Sequence, residues 1–192
     1  MGTVFISVDV EASGPFPPDY SMLSLGACVV GNAPEKFYVE FQPISDNYVD
    51  KALQVSGFTM KGAKENGKAP ATAMAEFTDW IEKHIRGNKK PSDETRPKFV
   101  AFPAGFDWMF VNYYMLKYVG RNVFGLAPLD IRSVYFGLFP DQNGFVMSKS
   151  EMKRKLGVTT EHTHNALDDA IEQGEMFARM LEIRKSLKRS AE

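Results

Sequence analysis

The sequence predicts an α/β domain built on a mixed central sheet flanked by helices, and three observations carry that prediction. Residues 3–9 (TVFISVD) form the β-branched, apolar run of a buried strand. Two further strand-like stretches, 22–30 and 36–42, follow around the turn segment GNAPE and read as an antiparallel hairpin set attached to the first strand. Beyond them, helical periods alternate with short apolar segments, the order expected of an α/β layer architecture.

Each element has its own local reason. SGPFPPDYS, with three prolines and a glycine, is a turn-rich link between the first two strands. Residues 71–86 place Met74, Phe77, Ile81 and Ile85 on one helical face. RGNKKPSDETRP reads as a polar loop leading to the strand KFVAF at 98–102. After Pro103–Gly105, residues 107–118 repeat Asp107, Val111, Tyr114 and Tyr118 at helical spacing. An apolar segment near Leu126–Leu129 leads into a helix at 131–138, with Asp130 as its N-cap. SKSEMKRKLG is a short helix stopped by Gly157, and a final helix at 166–187 carries Ala166, Ala170, Gln173, Phe177 and Met180 on one side. The 192 residues suit one domain, 1–192, with 186–192 set aside as a flexible basic tail.

Composition narrows the class. At 44% hydrophobic and 24% charged residues the chain is ordinary globular protein, and no apolar run is long enough to span a bilayer. The opening MGTVFISVDVEASG lacks the basic start and long apolar segment of a secretory leader. The single cysteine, Cys28, excludes an internal disulfide and sits in the apolar stretch SLGACVV, so a reducing, cytoplasmic setting is expected. A net charge of −1 speaks against a protein that grips long duplex through a basic surface. If four of the 24 acids are committed to metal, however, 20 are left against 23 Lys and Arg, a balance of +3. Short strand ends stay open as a partner.

The chemistry-bearing residues lie far apart in the chain. Asp9 and Glu11 flank Val10, and side chains two apart on a strand share a face. Side by side they repel unless a cation lies between them, although a strand end reaching solvent also accommodates both. Asp107 opens a helix, where the helix dipole favours a carboxylate, but its neighbours Phe106 and Trp108 point to a packed rim. In HTHNALDDAIEQGEMF, Asn165 is a natural N-cap and Asp168 stands in the position of a capping box. Asp169 instead shares the packed face with Ala170, Gln173 and Phe177, and a buried acid needs a partner such as a metal. His164, just before the cap, is placed to accept a proton near neutral pH, with His162 as its rival.

Taken in order, these residues resemble the DEDDh branch of the DnaQ-like 3′-5′ exonucleases, on the ribonuclease H-like fold. The first motif, D-x-E, is Asp9-Val10-Glu11; the second, F-D, is Phe106-Asp107; the third, H-x-A-x-x-D, runs from His164 to Asp169. The resemblance spans nearly the whole chain. It implies two divalent ions, Mg²⁺ or Mn²⁺, held by Asp9, Glu11, Asp107 and Asp169, with His164 as the general base. It also implies hydrolysis of the terminal phosphodiester at the 3′ end of single-stranded nucleic acid, with release of nucleoside 5′-monophosphates. Ala12, Ser13, Gly14 and Phe106 are expected to meet the terminal nucleotide. Many relatives carry His-Asn shortly before the second motif, where this chain has Pro103-Ala104-Gly105, and Ala12 stands where Thr is frequent.

RNA or short oligonucleotides are the favoured substrates on the compact, stand-alone form of the chain, with Phe16, Phe58 and Phe106 as candidate base-stacking residues. A homodimer is compatible with the resemblance, but no interface is legible. Two other readings compete: a 3′-end-binding module without turnover, and a zinc hydrolase using His162 and His164, against which the other candidate ligands are carboxylates and no third histidine is placed to help, since only His84 remains, on a polar helix face.

Overall fold

The computed structural model describes residues 2–31, 35–86, 95–140, 147–160 and 164–189. Strand β1 (Gly2–Ala12) lies at the centre of a sheet with β2 (Met22–Val29) and β3 (Lys36–Glu40) on one side. On its other side lie β4 (Thr95–Ala101) and the two-residue β5 (Leu129–Asp130), giving the order β3-β2-β1-β4-β5. Strand β2 is antiparallel to both β1 and β3, whereas β4 is parallel to β1 and to β5. The expected mixed sheet is therefore present.

The period-two pattern of β1 separates the two layers. Ile6, Val8, Val10 and Ala12 enter a core with Ala73, Met74, Phe77 and Ile81 of α3 (Pro70–Arg86) and Phe110, Val111 and Tyr114 of α4 (Ala104–Tyr118). The odd-numbered side chains face α7 (Ala166–Arg189): the Phe5 ring meets Phe177 edge-on at 5.1 Å, and Asp9 reaches Gln173. A second core on this side joins Val100 and Phe102 to α5 (Ile131–Leu138), α6 (Lys149–Leu156) and α7. The helical face Ala166, Ala170, Gln173, Phe177 and Met180 is buried throughout, as its spacing predicts. Cys28 is buried in β2.

Asp130, Gly157 and Asn165 end or start helices where the sequence places them. Asp130 accepts the Ser133 N–H at 2.8 Å and starts α5. Ser148 and Glu151 form a capping box on α6, and Gly157 ends that helix in the left-handed region. Asn165 Oδ1 accepts the Leu167 N–H at 3.0 Å, at the head of α7.

Several expectations are corrected. β1 runs to Ala12, past the apolar run 3–9 that marks it in the sequence, and includes Glu11 as the shared-face reading requires. The polar loop gives way to strand at Thr95, because parallel pairing with β1 begins at Gly2–Thr95 and offsets the polar composition; residues 87–94 lie outside the described residues. Helix α4 begins at Ala104 with Pro103 as N-cap, which places Asp107 within its first turn. Leu126 is 98% exposed, so the apolar segment before α5 is confined to β5. Two short helices, α1 (Asp50–Ser56) and α2 (Met60–Asn66), have no counterpart in the sequence prediction. α1 buries none of its residues and so shows no apolar period. Helix α7 continues to Arg189, which makes residues 186–189 helical.

One glycine sets the distance between sheet and helix. Gly26 pairs with Asp9 across β1 and β2, and the first turn of α7 rests on it. A Cβ there would lie 2.2 Å from the backbone of Ala166 and Leu167. We predict that G26A costs about 1–3 kcal/mol of stability, the range for overpacking, in urea unfolding. The activity that the resemblance implies should fall further than the unfolded fraction explains, because the head of α7 carries Asp169. Wild-type activity in G26A would show that this approach does not position the site.

Candidate active site

Strand β1 delivers Asp9 and Glu11 to the α7 side of the sheet, and the first turn of α7 delivers Asp169 to meet them. One carboxylate oxygen from each lies within 4.8 Å of the others. Asp9 and Glu11 are half-buried, and Asp169 is 3% exposed. Asp107 approaches from α4, also 3% exposed, and its Oδ1 accepts the Val10 N–H at 3.0 Å. The residue between the two strand carboxylates is thus tied by its backbone to the third acid. All four predicted carboxylates converge on the C-terminal end of β1.

Gathering them is electrostatically unfavourable. Burial pushes the Asp9 carboxyl well above the usual carboxylate range, and Asp107, Asp169 and Glu11 push it further. Burial and then Asp169 raise Glu11 to about 7. Asp107 is raised to about 8, chiefly by burial, against the lowering effect of the Val10 N–H. Lys149 opposes the trend at both Asp9 and Asp107. Oxygen-only donors at this spacing suit a hard divalent cation, whose charge would reverse these shifts. The residues present fit such a group.

Hydrogen bonds outside the predicted set hold the geometry. Gln173 is fully buried; its Nε2 donates to Asp9 Oδ1 at 2.5 Å, and its Oε1 accepts the Phe102 N–H at 2.8 Å. This one side chain joins β1, the end of β4 and α7. Asp130 Oδ2 accepts the Ala104 N–H at 2.9 Å and so anchors the start of α4, three residues before Asp107. Glu172, beside Gln173, is buried between Lys149 and Lys153, each 2.6 Å away. Gln173 stands out in the sequence as a polar residue on the packed face of α7, one turn beyond Asp169. Lys149, Glu172 and the second role of Asp130 carry no such signal.

His164 is exposed and adopts φ 55°, a left-handed conformation uncommon for non-glycine residues, immediately before the Asn165 cap. His162 lies outside the described residues. His84 is not on a polar face: its ring packs against Trp80 at 4.8 Å and its Nε2 lies 3.4 Å from Glu35. It packs in the α3 layer, away from the carboxylate group on the α7 side of the sheet.

Beside Glu11 opens an apolar pocket of about 380 Å³ that includes Ala12, Gly14, Val49, Val55 and Phe106 in its wall. Ser13, expected with them, is committed inside the fold. Its Oγ donates to the Asn47 carbonyl and accepts the Ser21 N–H, while its own carbonyl accepts the Val49 N–H. Phe106 is 37% exposed at the pocket wall. Phe58 lines a different pocket with Tyr48, and Phe16 packs edge-on against Tyr20.

Carboxylates on the first strand, on the helix after β4 and on the last helix, over a β3-β2-β1-β4-β5 sheet, define a nuclease site on a ribonuclease H-like fold. Comparison with known proteins agrees. The chain is 41% identical over 174 residues to the 3′-5′ DNA exonuclease Cap18 of Escherichia coli, covering 91% of this chain and 89% of that one. It superimposes on the nuclease domain of 3′hExo, a DEDDh family member bound to rAMP, with TM-score 0.73 and 16% identity over 93% of this chain and 92% of the other. It also superimposes on Exonuclease I of E. coli in complex with a dA16 oligonucleotide, with TM-score 0.65 and 14% identity over 97% of this chain and 43% of the other. No protein-family model matches. The chain belongs to the DEDDh 3′-5′ exonucleases of the DnaQ-like superfamily. It is a 3′-5′ exonuclease by family.

The raised carboxylates determine how the metal-free protein responds to pH. Glu11 at about 7 and Asp107 at about 8 stand above their ordinary values of 4.5 and 3.8, so the folded state binds protons more tightly than the unfolded chain. Their contribution is full below about pH 4 and is lost as pH rises through about 7–8. In EDTA, Tm should therefore fall between pH 5 and 9, and Mg²⁺ should restore it most at the alkaline end. D107N, which keeps an acceptor for the Val10 N–H, should flatten the fall. A Tm in EDTA that rises steadily over this range would contradict the electrostatic account.

Proposed function

We propose that this enzyme removes nucleotides one at a time from the 3′ end of single-stranded DNA and releases nucleoside 5′-monophosphates. Two divalent ions, Mg²⁺ or Mn²⁺, are held by Asp9, Glu11, Asp107 and Asp169. The convergence of these four buried or half-buried acids carries the proposal. DNA takes the place of the RNA that the sequence favours, because the relative at 41% identity is a DNA exonuclease.

Paired divalent ions supply a water of lowered pKa and stabilise charge on the attacked phosphate. The chain's own residues do the remainder. His164 takes the proton of the attacking water; its exposure and its place five residues before Asp169 leave its ring accessible to substrate. Gln173 donates to Asp9 Oδ1 and so orients the carboxylate that would help hold the metal. The pocket beside Glu11 takes the terminal nucleoside, with Phe106 against the base and Ala12 and Gly14 allowing close approach. Val49, Ala52 and Val55 also line this pocket, so apolar contact with base and sugar replaces the polar pair that many relatives carry before the second motif.

H164A should lower kcat by about 10²–10⁴-fold while changing KM little, as expected for loss of a general base. Steady-state kinetics on a 5′-labelled oligodeoxynucleotide measure this, and mass spectrometry of the products should show 5′-monophosphates only. EDTA should abolish release and Mn²⁺ should restore it. Unchanged kcat in H164A across neutral pH would remove the histidine from the mechanism. A higher kcat/KM on the RNA of the same sequence would return the substrate assignment to RNA.

A further inference from the structure

Helix α1 buries none of its seven residues, yet it forms part of the wall of two pockets. Its Ala52 and Val55, with Val49 just before it, face the pocket beside Glu11. Leu53 and Gln54 line a second pocket of about 420 Å³, which Tyr48, Phe58 and Met60 help to close. At about 3.6 residues per turn, Ala52 and Val55 share one face of the helix, while Leu53 and the following Gly57 lie on the opposite face. Helix α1 is therefore a ridge with a pocket on either side.

Lys51 stands on the crest of that ridge. Residues three and four apart are neighbours on a helix surface, so Lys51 adjoins Gln54 of one pocket and Val55 of the other. It lines the pocket beside Glu11, is exposed, and forms no ion pair among the described residues. Asp46, a few residues ahead of it, is taken by Lys64 at 2.6 Å. The second pocket has an aromatic wall: Tyr48 is 52% exposed there and Phe58 is half-buried. Tyr48, Val49 and Val55 are all large apolar side chains left exposed on this one segment. Core packing does not account for them, and such a concentration marks a contact surface.

We propose that the pocket of Tyr48 and Phe58 is a second nucleotide subsite, which takes a base upstream of the terminal one by stacking on Tyr48, while Lys51 binds a phosphate of the strand as it crosses α1. The inference rests on the reading of the pocket beside Glu11 as the seat of the terminal nucleoside. A strand held there by its 3′ end has to leave the pocket, and α1 is the wall that offers apolar surface on its far side and a cation on its crest. Aromatic platforms beside a cation that tracks the backbone suit single strands of any sequence, because every base has a π-face. A helix is about 10–12 Å across with its side chains, and stacked nucleotides are about 3.4 Å apart, so about two to three nucleotides separate the bases in the two pockets. Phe58 is marked in the sequence as a stacking candidate; Tyr48 joins it only because α1 brings both ends of the segment 48–58 to one pocket.

Substrate length separates this role from general damage to the enzyme. The test uses the full chain in Mn²⁺ and measures kcat/KM on single-stranded DNA from a dinucleotide to a dodecamer. Wild-type kcat/KM should rise with length and level off once the strand crosses α1. In Y48A the ratio of kcat/KM on the dodecamer to that on the dinucleotide should fall about 5- to 150-fold, the value of one stacked base. Y48F keeps the ring and should keep the ratio. K51M should lower the same ratio. It should also reduce by about 0.7 the salt slope for binding a dodecamer closed at its 3′ end by hydrolysis-resistant phosphorothioate linkages, the value for one phosphate contact on a single strand. K61M removes a lysine of α2 that lines neither pocket and pairs with Glu65, and it should change neither quantity. A Y48A ratio equal to that of wild type, whether through no loss or through equal losses on both lengths, would overturn the second subsite while leaving the nuclease reading intact. A full salt slope in K51M would overturn the role of Lys51. A wild-type enzyme inactive on both DNA and RNA would overturn the nuclease reading, and this inference with it.

Discussion

The repulsion among four carboxylates gathered at the end of β1 is the constraint around which this molecule is organised. Asp9, Glu11 and Asp169 bring oxygens within 4.8 Å of one another, and Asp107 adds a fourth buried charge tied to the intervening backbone. Nothing in a strand–helix junction favours this on its own. The neighbouring structure holds the groups in place. Gln173 spans Asp9 and the Phe102 backbone, Asp130 anchors the helix that carries Asp107, and Gly26 lets the head of α7 settle onto the sheet. Each support lies on a different element, so the site depends on the whole fold.

Small residues make the close packing possible. Ala166, Ala170 and Gly174 lie along the part of α7 that crosses β1 and β2, and a Cβ at Gly174 would stand 2.9 Å from Cys28 Sγ. Cys28 Sγ itself donates to the Ala170 carbonyl at 3.4 Å. Burial pushes this thiol up to about 12, so it serves the interface as a small apolar group and not as a nucleophile. Farther along α7, Phe177 and Met180 widen the contact into the second core. The helix meets the sheet through small residues near Asp169, and through large buried side chains farther along.

Much of this is legible in the amino-acid sequence. The apolar run of β1, the face Met74-Phe77-Ile81 and the caps at Asp130 and Gly157 are local signals, each set by a few neighbouring residues, and all are observed. The assignment of Asp169 to the packed face is legible for the same reason: helical spacing places it beside Ala170 and Gln173, and it is 3% exposed. Where pairing with a distant strand decides the outcome, local reading fails. Thr95–Pro97 look like loop until β1 pairs with them, and α1 has no buried face by which to recognise it. Ser13 could be placed near the site but not oriented, because its partners Ser21, Asn47 and Val49 come from segments without periodic pattern.

Which residues gather at the candidate site is written in the chain's spacing. An acid pair two apart on a strand, a Phe-Asp after a strand and a His-x-Ala-x-x-Asp at a helix head are patterns of interval, and intervals survive without any fold. How those residues are held and charged is a matter of packing. The shifts at Asp9, Glu11 and Asp107 arise from burial and from neighbours up to 160 positions away, such as Asp169 beside Asp9. Gln173, Glu172 and Lys149 acquire meaning in the same way: hydrogen bonds and ion pairs act over a few ångströms, and the tertiary structure settles which groups come that close.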